Sequence, residues 1–245
     1  MRQIIFSIMA AAVSALLISC EEHVPLREFR EMSVETGSIL CSDGTAVPYG
    51  AYTPEMNGVG VIVKSGTAED DYRFIAIGKE DIGTYAYAEA CNTEWYVDSG
   101  AGTDRTAFDG KENTAAMIAA AYDKVEEETV TDSDGNRHTI TKVEYLHYPA
   151  AEAARDYMAS TMQGWHLPSA GEWLAVFSRM ETIQRSLELI GGHWVDTSAW
   201  YQSSSQDGAS AETRLYYNLS VSSSGMAKGN LKTEKAPVRP FITIK

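Results

Sequence analysis

The sequence predicts an α+β fold of short twisted antiparallel strands with two to three helices. Short apolar runs between turn residues fill positions 38–77, a pattern typical of strands. Helical patterns follow in the middle of the chain, and from His193 onward Ser, Tyr, Gly, Asn and Thr predominate, which favours strands joined by polar loops. Because there is no fixed repeat and no sharp change in composition, residues 37–245 are expected to form one domain.

The composition is that of a globular protein with an acidic surface. The 245 residues are 44% hydrophobic, and 20 Lys and Arg stand against 34 Asp and Glu, which gives a net charge of −14. A surface of this charge repels a phosphate backbone, so nucleic acid is not an expected partner.

The N-terminus has the pattern of a secretory signal. A basic residue, Arg2, precedes the apolar run Ile4–Ile18, which is too short for a permanent membrane-spanning helix. The next segment, Leu17-Ile18-Ser19-Cys20, resembles the lipobox of bacterial lipoproteins, in which signal peptidase cuts before a cysteine that carries diacylglycerol. The resemblance implies a signal peptide over 1–19 and an acylated Cys20.

The lipid anchor implies a location at the outer membrane, with residues 20–36 as the acylated cysteine and its tether. The chain would be anchored to the membrane and would not span it. Glu21 and Glu22 follow the cysteine, and in lipoproteins of the Bacteroidetes type such an acidic pair resembles a signal for export to the cell surface. The same pair also fits the start of a solvated linker.

Two further cysteines, Cys41 and Cys91, remain after this processing. An oxidising compartment permits a disulfide between them, but their separation in sequence does not give their distance in space. The sequence leaves both the paired and the unpaired state open.

Three helices are predicted. The first is the Ala-rich stretch Asn113–Val125, and the second covers Ala150–Met158 after Tyr148-Pro149. The third begins at a capping box formed by Ser169 and Glu172 and continues as one apolar face to Gly191-Gly192. The strands predicted for the C-terminal part are Trp200–Ser204, Leu215–Ser222 and Val238–Ile244.

A hairpin is predicted over Glu128–Tyr145. Alternating β-branched residues flank Asp132–Asn136, which contains an Asp-Gly pair. These five residues also resemble the first half of a calcium-binding loop, but Val143 stands where the twelfth-position Glu would be required. The turn is therefore the favoured interpretation.

The residues show no pattern that indicates catalysis or metal binding. The five histidines lack the paired spacing of a zinc site, and neither Cys41 nor Cys91 lies near a histidine in the sequence. Gly58 and Gly60 precede a strand, where a phosphate-binding loop would need a helix. No catalytic residue, metal or cofactor is predicted.

A ten-residue segment carries the strongest resemblance to known proteins. Gly164–Trp173 reads GWHLPSAGEW and resembles the G-W-x-L-P-[ST]-x-x-E-W segment of bacterial C-type-lectin-like folds. These include the formylglycine-generating-enzyme branch, Lcl-type C-terminal domains and related Bacteroidetes surface proteins. Supporting segments are Gly37–Gly44, Phe108–Thr114, Trp200, Tyr216–Leu219, Lys232 and Val238–Phe241. The resemblance implies a C-type-lectin-like fold over residues 37–245.

Departures from these families restrict the function. The formylglycine branch uses copper held by two cysteines late in the domain, whereas this chain has no cysteine after Cys91. Calcium-dependent sugar binding in animal C-type lectins uses E-P-N or Q-P-D loops together with W-N-D, and these strings are absent. The resemblance therefore favours a binding module without metal.

The variable proteins of diversity-generating retroelements share this fold and present ligand-facing residues in their C-terminal part. Tyr and Ser are also the commonest residues of antibody combining sites. By this resemblance the ligand-binding residues are Tyr201, Ser203, Ser204, Gln206, Tyr216, Asn218, Ser220, Ser222 and Asn230. The same residues also fit the solvated face of a sheet. The residues expected in the core are Trp165, Leu167, Trp173, Trp200 and Phe241.

Three hypotheses of function follow. The first is a surface lipoprotein whose C-type-lectin-like domain binds a protein or glycan ligand through its C-terminal loops, as a diversified receptor would. The alternative is a structural or assembly subunit of a surface appendage. A formylglycine-type oxidase is the third and is disfavoured by the missing cysteines.

Overall fold

The computed structural model describes residues 34–90, 98–211, 213 and 217–245. Over these residues the predicted α+β class is confirmed, with mostly antiparallel sheets. The helices are α1 (Gly110–Ala120), α2 (Pro149–Asp156), α3 (Ala170–Ser178) and α4 (Met180–Leu189). The strands are β1 (Ile39–Cys41), β2 (Ala46–Val47), β3 (Gly58–Ser65), β4 (Phe74–Gly78), β5 (Gly83–Ala86), β6 (Glu89–Ala90), β7 (Tyr122–Thr131), β8 (Arg137–His147), β9 (Trp165–His166), β10 (Trp200–Gln206), β11 (Tyr217–Ser222), β12 (Ala227–Leu231), β13 (Lys235–Val238) and β14 (Phe241–Ile244).

A six-stranded sheet with the order β2-β1-β3-β4-β14-β9 forms the centre of the fold. Successive side chains along its strands point alternately into two apolar clusters, as the two-residue period of a strand requires. On β4, Ile75 and Ile77 pack with Trp173 of α3 and Leu187 of α4, whereas Phe74 faces the cluster on the other side of the sheet. The sheet is therefore buried on both faces.

The predicted capping box begins α3. The Ser169 hydroxyl accepts a hydrogen bond from the Glu172 amide at 3.2 Å, and the Glu172 carboxylate accepts one from the Ser169 amide at 2.9 Å. The single long helix expected up to Gly191 is wrong, because the chain leaves helical geometry at Arg179 (φ −130°, ψ 27°) and restarts as α4. The apolar pattern runs through this break because both helices pack against the same cluster.

The first helix begins and ends earlier than predicted. It starts at Gly110 and ends at Ala120, and residues Tyr122–Val125, expected to be helical, form the start of β7. Pairing with β8 outweighs the weak helix preference of these residues, which include the β-branched Val125.

The hairpin of β7 and β8 has the predicted turn. The Asp132 carboxylate accepts hydrogen bonds from the amides of Asp134 at 2.9 Å and Asn136 at 2.8 Å, and Gly135 adopts a φ of +84°. A glycine tolerates this left-handed backbone conformation. These contacts are those of a closed turn, in agreement with the interpretation favoured over a calcium-binding loop.

The C-terminal strands differ from the prediction in two places. The single strand expected over Val238–Ile244 is divided at Arg239-Pro240 into β13, which pairs with β5, and β14, which pairs with β4 and β9. Proline lacks the amide hydrogen that a continuous ladder needs, so the chain changes sheets there. Strand β12 was not predicted, and it completes a three-stranded sheet with the order β10-β11-β12, here called the C-terminal sheet.

Several predictions fall outside the described residues. Residues 1–33, with the signal peptide and Cys20, are among them, and so is Cys91, which leaves its pairing with Cys41 untested. Cys41 is buried in the central sheet, and this burial raises the pKa of its thiol. None of the helices described has the length and apolar character needed to cross a membrane.

We predict that Ser169→Ala lowers the free energy of unfolding by about 1–3 kcal/mol, because it removes the cap of α3 and a second hydrogen bond. The Ser169 hydroxyl also donates to the Ala107 carbonyl at 2.7 Å. Urea denaturation, monitored by circular dichroism, measures the change in the free energy of unfolding. Ser178→Ala, at the exposed end of the same helix, is the matched control and should shift stability by less than about 0.5 kcal/mol. Equal stability of the two variants would contradict the structural role of the cap.

Candidate functional site

Strand β10 contains a bulge of three consecutive serines. Gln202 pairs with Ser220 and Gln206 pairs with Asn218, so Ser203–Ser205 lie opposite a single residue of β11. We call these three residues the serine bulge. An insertion of this kind bends the strand and turns side chains away from the regular alternation.

The serine bulge bonds to three other parts of the fold. The Ser203 hydroxyl donates to the Leu219 carbonyl at 2.6 Å, the Ser204 hydroxyl accepts from the Asn113 side-chain amide at 3.3 Å, and the Ser205 hydroxyl accepts from the Ala170 amide at 3.0 Å. Ala170 is the first residue of α3, so Ser205 satisfies an amide that the helix itself leaves without a partner. The bulge joins the C-terminal sheet to the N-terminal turns of α1 and α3.

The expectation that the predicted ligand-binding residues lie exposed on the C-terminal loops is wrong for most of them. Seven are buried in the structure: Tyr201, Ser203, Ser204, Gln206, Asn218, Ser220 and Ser222. Asn230 is half-buried, and Tyr216 lies outside the described residues. Buried hydroxyl and amide groups need internal hydrogen-bond partners, and most of these groups find them in one another and in the backbone.

Tyr201 is part of the core. Its ring centroid lies 4.4 Å from that of Trp173, and its hydroxyl donates to the Asp81 carboxylate at 3.1 Å and accepts from the Asp196 amide at 2.9 Å. Burial raises the pKa of Tyr201 to about 12. The Trp173 indole in turn donates to the Gln202 carbonyl at 3.0 Å, so α3 is fixed against β10 by both packing and a hydrogen bond.

Gln206 belongs to a second buried polar group. Its side-chain amide donates to the Ala101 carbonyl at 2.9 Å and to the Asp98 carboxylate at 3.0 Å. Its carbonyl oxygen accepts from the Lys232 ammonium at 2.7 Å, and that ammonium lies 5.2 Å from the centroid of the Tyr87 ring. A buried lysine is costly unless it is well bonded, so Gln206 has a structural role in holding Lys232.

One face of the C-terminal sheet is polar along its length. Strand register places Gln202, Ser220 and Lys228 side by side, and Asn218 beside Asn230. The opposite face carries Tyr201, Leu219, Val221 and Ala227, which pack in the core. We call the first set, together with Trp200 and Ser222, the polar face.

Two atoms of the polar face are buried without a hydrogen-bond partner in the described structure: Asn218 Oδ1 and Ser220 Oγ. The Asn218 amide nitrogen is bonded, since it donates to Gln202 Oε1 at 2.7 Å. An unpartnered buried oxygen costs about 1–3 kcal/mol, so a donor that reached either atom would recover that free energy. Both oxygens are covered in the described structure, so a donor could reach them only after a neighbouring side chain moved.

A lysine and a tryptophan lie at the end of the polar face. The Lys228 ammonium lies 4.4 Å from the centroid of the Trp200 ring, within the range of a cation–π contact. Lys228 is on β12 and Trp200 on β10, so the lysine side chain crosses β11 near Ser220 and Ser222. An exposed, flexible side chain thus lies over the sheet where the unpartnered Ser220 hydroxyl is buried.

Sequence reasoning missed this pair. Trp200 was expected in the core but is only half-buried, and Lys228 was not considered. The contact depends on the register of β10, β11 and β12, and no spacing in the sequence gives that register. The remaining core expectations are confirmed: Trp165, Leu167, Trp173 and Phe241 are all buried.

Among the described residues, no group of three or more His, Cys, Asp or Glu side chains is placed to hold a metal ion. Comparison of the chain with models of protein families, with curated proteins and with solved structures gave no match.

Proposed function

We propose that this protein is a surface-exposed lipoprotein, anchored to the outer membrane through Cys20, that binds a protein or glycan ligand without catalysis. In this proposal residues 37–245 form a C-type-lectin-like domain. The lipobox resemblance at Leu17–Cys20 supports the anchor, and the Gly164–Trp173 segment supports the fold.

The observation that carries the binding function is the polar face with its Trp200–Lys228 contact. A half-buried tryptophan ring offers an apolar plate that can pack on the CH face of a sugar or on a protein side chain. Ser220 Oγ, an acceptor without a partner, is buried on the next residue pair of the same face, where the Lys228 side chain crosses β11. An aromatic plate next to directed hydrogen-bonding groups is the combination that small polar ligands require for both affinity and orientation.

Rigidity of the support favours binding at this position. Gln202 bonds to Asn218, and the backbone of Gln202 is held by Trp173 of α3. A site on strands fixed by core packing loses little conformational entropy when a ligand binds. In the proposed mechanism Lys228 leaves the Trp200 ring and uncovers Ser220, the ligand packs on the indole, and one of its donors reaches the Ser220 hydroxyl oxygen. The ligand thus replaces the lysine over β11.

The binding proposal predicts that Trp200→Ala weakens ligand binding at least tenfold, because it removes the apolar plate. Glycan and protein arrays probed with the purified full-length chain identify the ligand, and titration then gives the affinity of each variant. Trp194→Ala is the matched control, since Trp194 is 60% exposed but is not on the polar face. Equal affinity of wild type and Trp200→Ala, or equal losses in the two variants, would contradict a site at Trp200.

The anchor proposal predicts that Cys20→Ser abolishes incorporation of labelled fatty acid and releases the protein from the membrane fraction. Two acyl chains hold a protein at a bilayer, whereas their removal leaves no comparable attachment. Cys41→Ser is the control and should keep the label. Protease added to intact cells should digest the wild-type protein, and digestion only after lysis would contradict surface exposure.

A further inference from the structure

The hairpin of β7 and β8 is a second surface with the properties of an interaction site. Ten residue pairs join the strands, from Tyr122 opposite Leu146 to Thr131 opposite Arg137. At the usual rise per residue the arm is about 30 Å long. All of β7 except Val130 is exposed, and so is β8 from Arg137 to Glu144. Both faces of the arm therefore lie open to solvent along most of its length.

The two faces of the arm differ in chemistry. On one face Lys124 pairs with Glu126 at 2.8 Å, and Lys142 pairs with Glu128. On the other face Val125 lies directly opposite Val143, and the two side chains are 66% and 53% exposed. Threonines continue this second face toward the tip, where Thr129 is opposite Thr139. Glu127 also lies on this second face, opposite Thr141, and the exposed Ile140 lies on the first, opposite Glu128. Charged side chains thus predominate on one face and β-branched side chains on the other.

Strand β7 also has a free edge. It is the last strand in the order β6-β8-β7, and within the described part of the chain it pairs with β8 alone. The amides and carbonyls that point away from β8 can therefore accept an added strand from another chain.

The charge of this edge indicates which kind of chain can pair with β7. Asp123, Glu126, Glu127 and Glu128 stand against the single cation Lys124 on β7. Antiparallel pairing of two copies across this strand would bring the runs Glu126–Glu128 near each other, and the whole chain carries a net charge of −14. Like charges on directly opposite residues destabilise a sheet, so a second copy is a poor partner.

We propose that the free edge of β7 binds an extended segment of another protein in which Lys or Arg alternates with β-branched or aromatic residues. The segment adds as a strand beside β7. Its cations compete with Lys124 and Lys142 for the carboxylates of Glu126 and Glu128, and its apolar side chains extend the Val125–Val143 surface. This surface is separate from the polar face, and the proposal does not depend on the function assigned there.

The test uses the purified full-length chain and a synthetic ten-residue peptide that alternates Lys with Val and Thr. A second peptide replaces each Lys by Glu, and a third carries N-methyl groups at alternate backbone amides, which removes the hydrogen bonds of an added strand. We expect the basic peptide to bind at least tenfold more tightly than either of the other two peptides. Bound peptide should slow hydrogen exchange at the amides of residues 122–131.

Two surface variants locate the contact. Glu126→Lys reverses a charge on the face that receives the cations of the peptide and should weaken peptide binding at least tenfold, whereas Glu181→Lys makes the same change at an exposed position of α4 and should leave it unchanged. Equal binding of the N-methylated peptide would show electrostatic adhesion without strand addition and would overturn the proposal. So would equal affinity of the two variants, or formation of a dimer that protects residues 122–131 without peptide.

Discussion

The fold depends on the need of buried polar groups for partners, and the serine bulge is where this constraint is concentrated. Ser203, Ser204 and Ser205 bond to β11, to Asn113 of α1 and to the first amide of α3. Each of these bonds satisfies a group that would otherwise be buried without a partner. Because the bonds reach three separate elements, the position of β10 fixes where α1 and α3 begin relative to the C-terminal sheet.

Apolar packing and this polar network act on the same helix from two sides. Trp173 on α3 contacts Tyr201 of β10 and Phe241 of β14, so one side chain joins the C-terminal sheet to the central sheet. The hydrogen bonds of the serine bulge specify where α3 lies against β10, while the apolar contacts of Trp173 supply most of the buried area. Trp200 and Lys228 lie at one end of the C-terminal sheet that this packing supports, whereas the β7–β8 arm belongs to a separate sheet with β6.

Features determined by local chemistry were predictable from the sequence. The capping box of Ser169 and Glu172 and the turn at Asp132–Gly135 each depend on residues within four positions of one another. From the sequence, the candidate site could be placed in the C-terminal part of the chain but could not be assigned to particular residues. Alternating Ser, Tyr and Asn on strands look the same whether solvent or a second layer covers them, and the bulge in β10 changes which side chains face inward. The contact between Trp200 and Lys228 depends on register across three strands, which no local pattern specifies.

Amide hydrogen exchange of β10 tests the central claim most directly. The Ser204 amide donates to the Pro168 carbonyl at 2.8 Å, and the Gln206 amide donates to the Gly102 carbonyl at 2.9 Å. If the serine bulge holds the fold together, both amides should exchange only through global unfolding, with an opening free energy equal to that of the Val176 amide in α3. Exchange at the rate of exposed loop amides would show a C-terminal sheet that opens independently of the core, and would contradict the account.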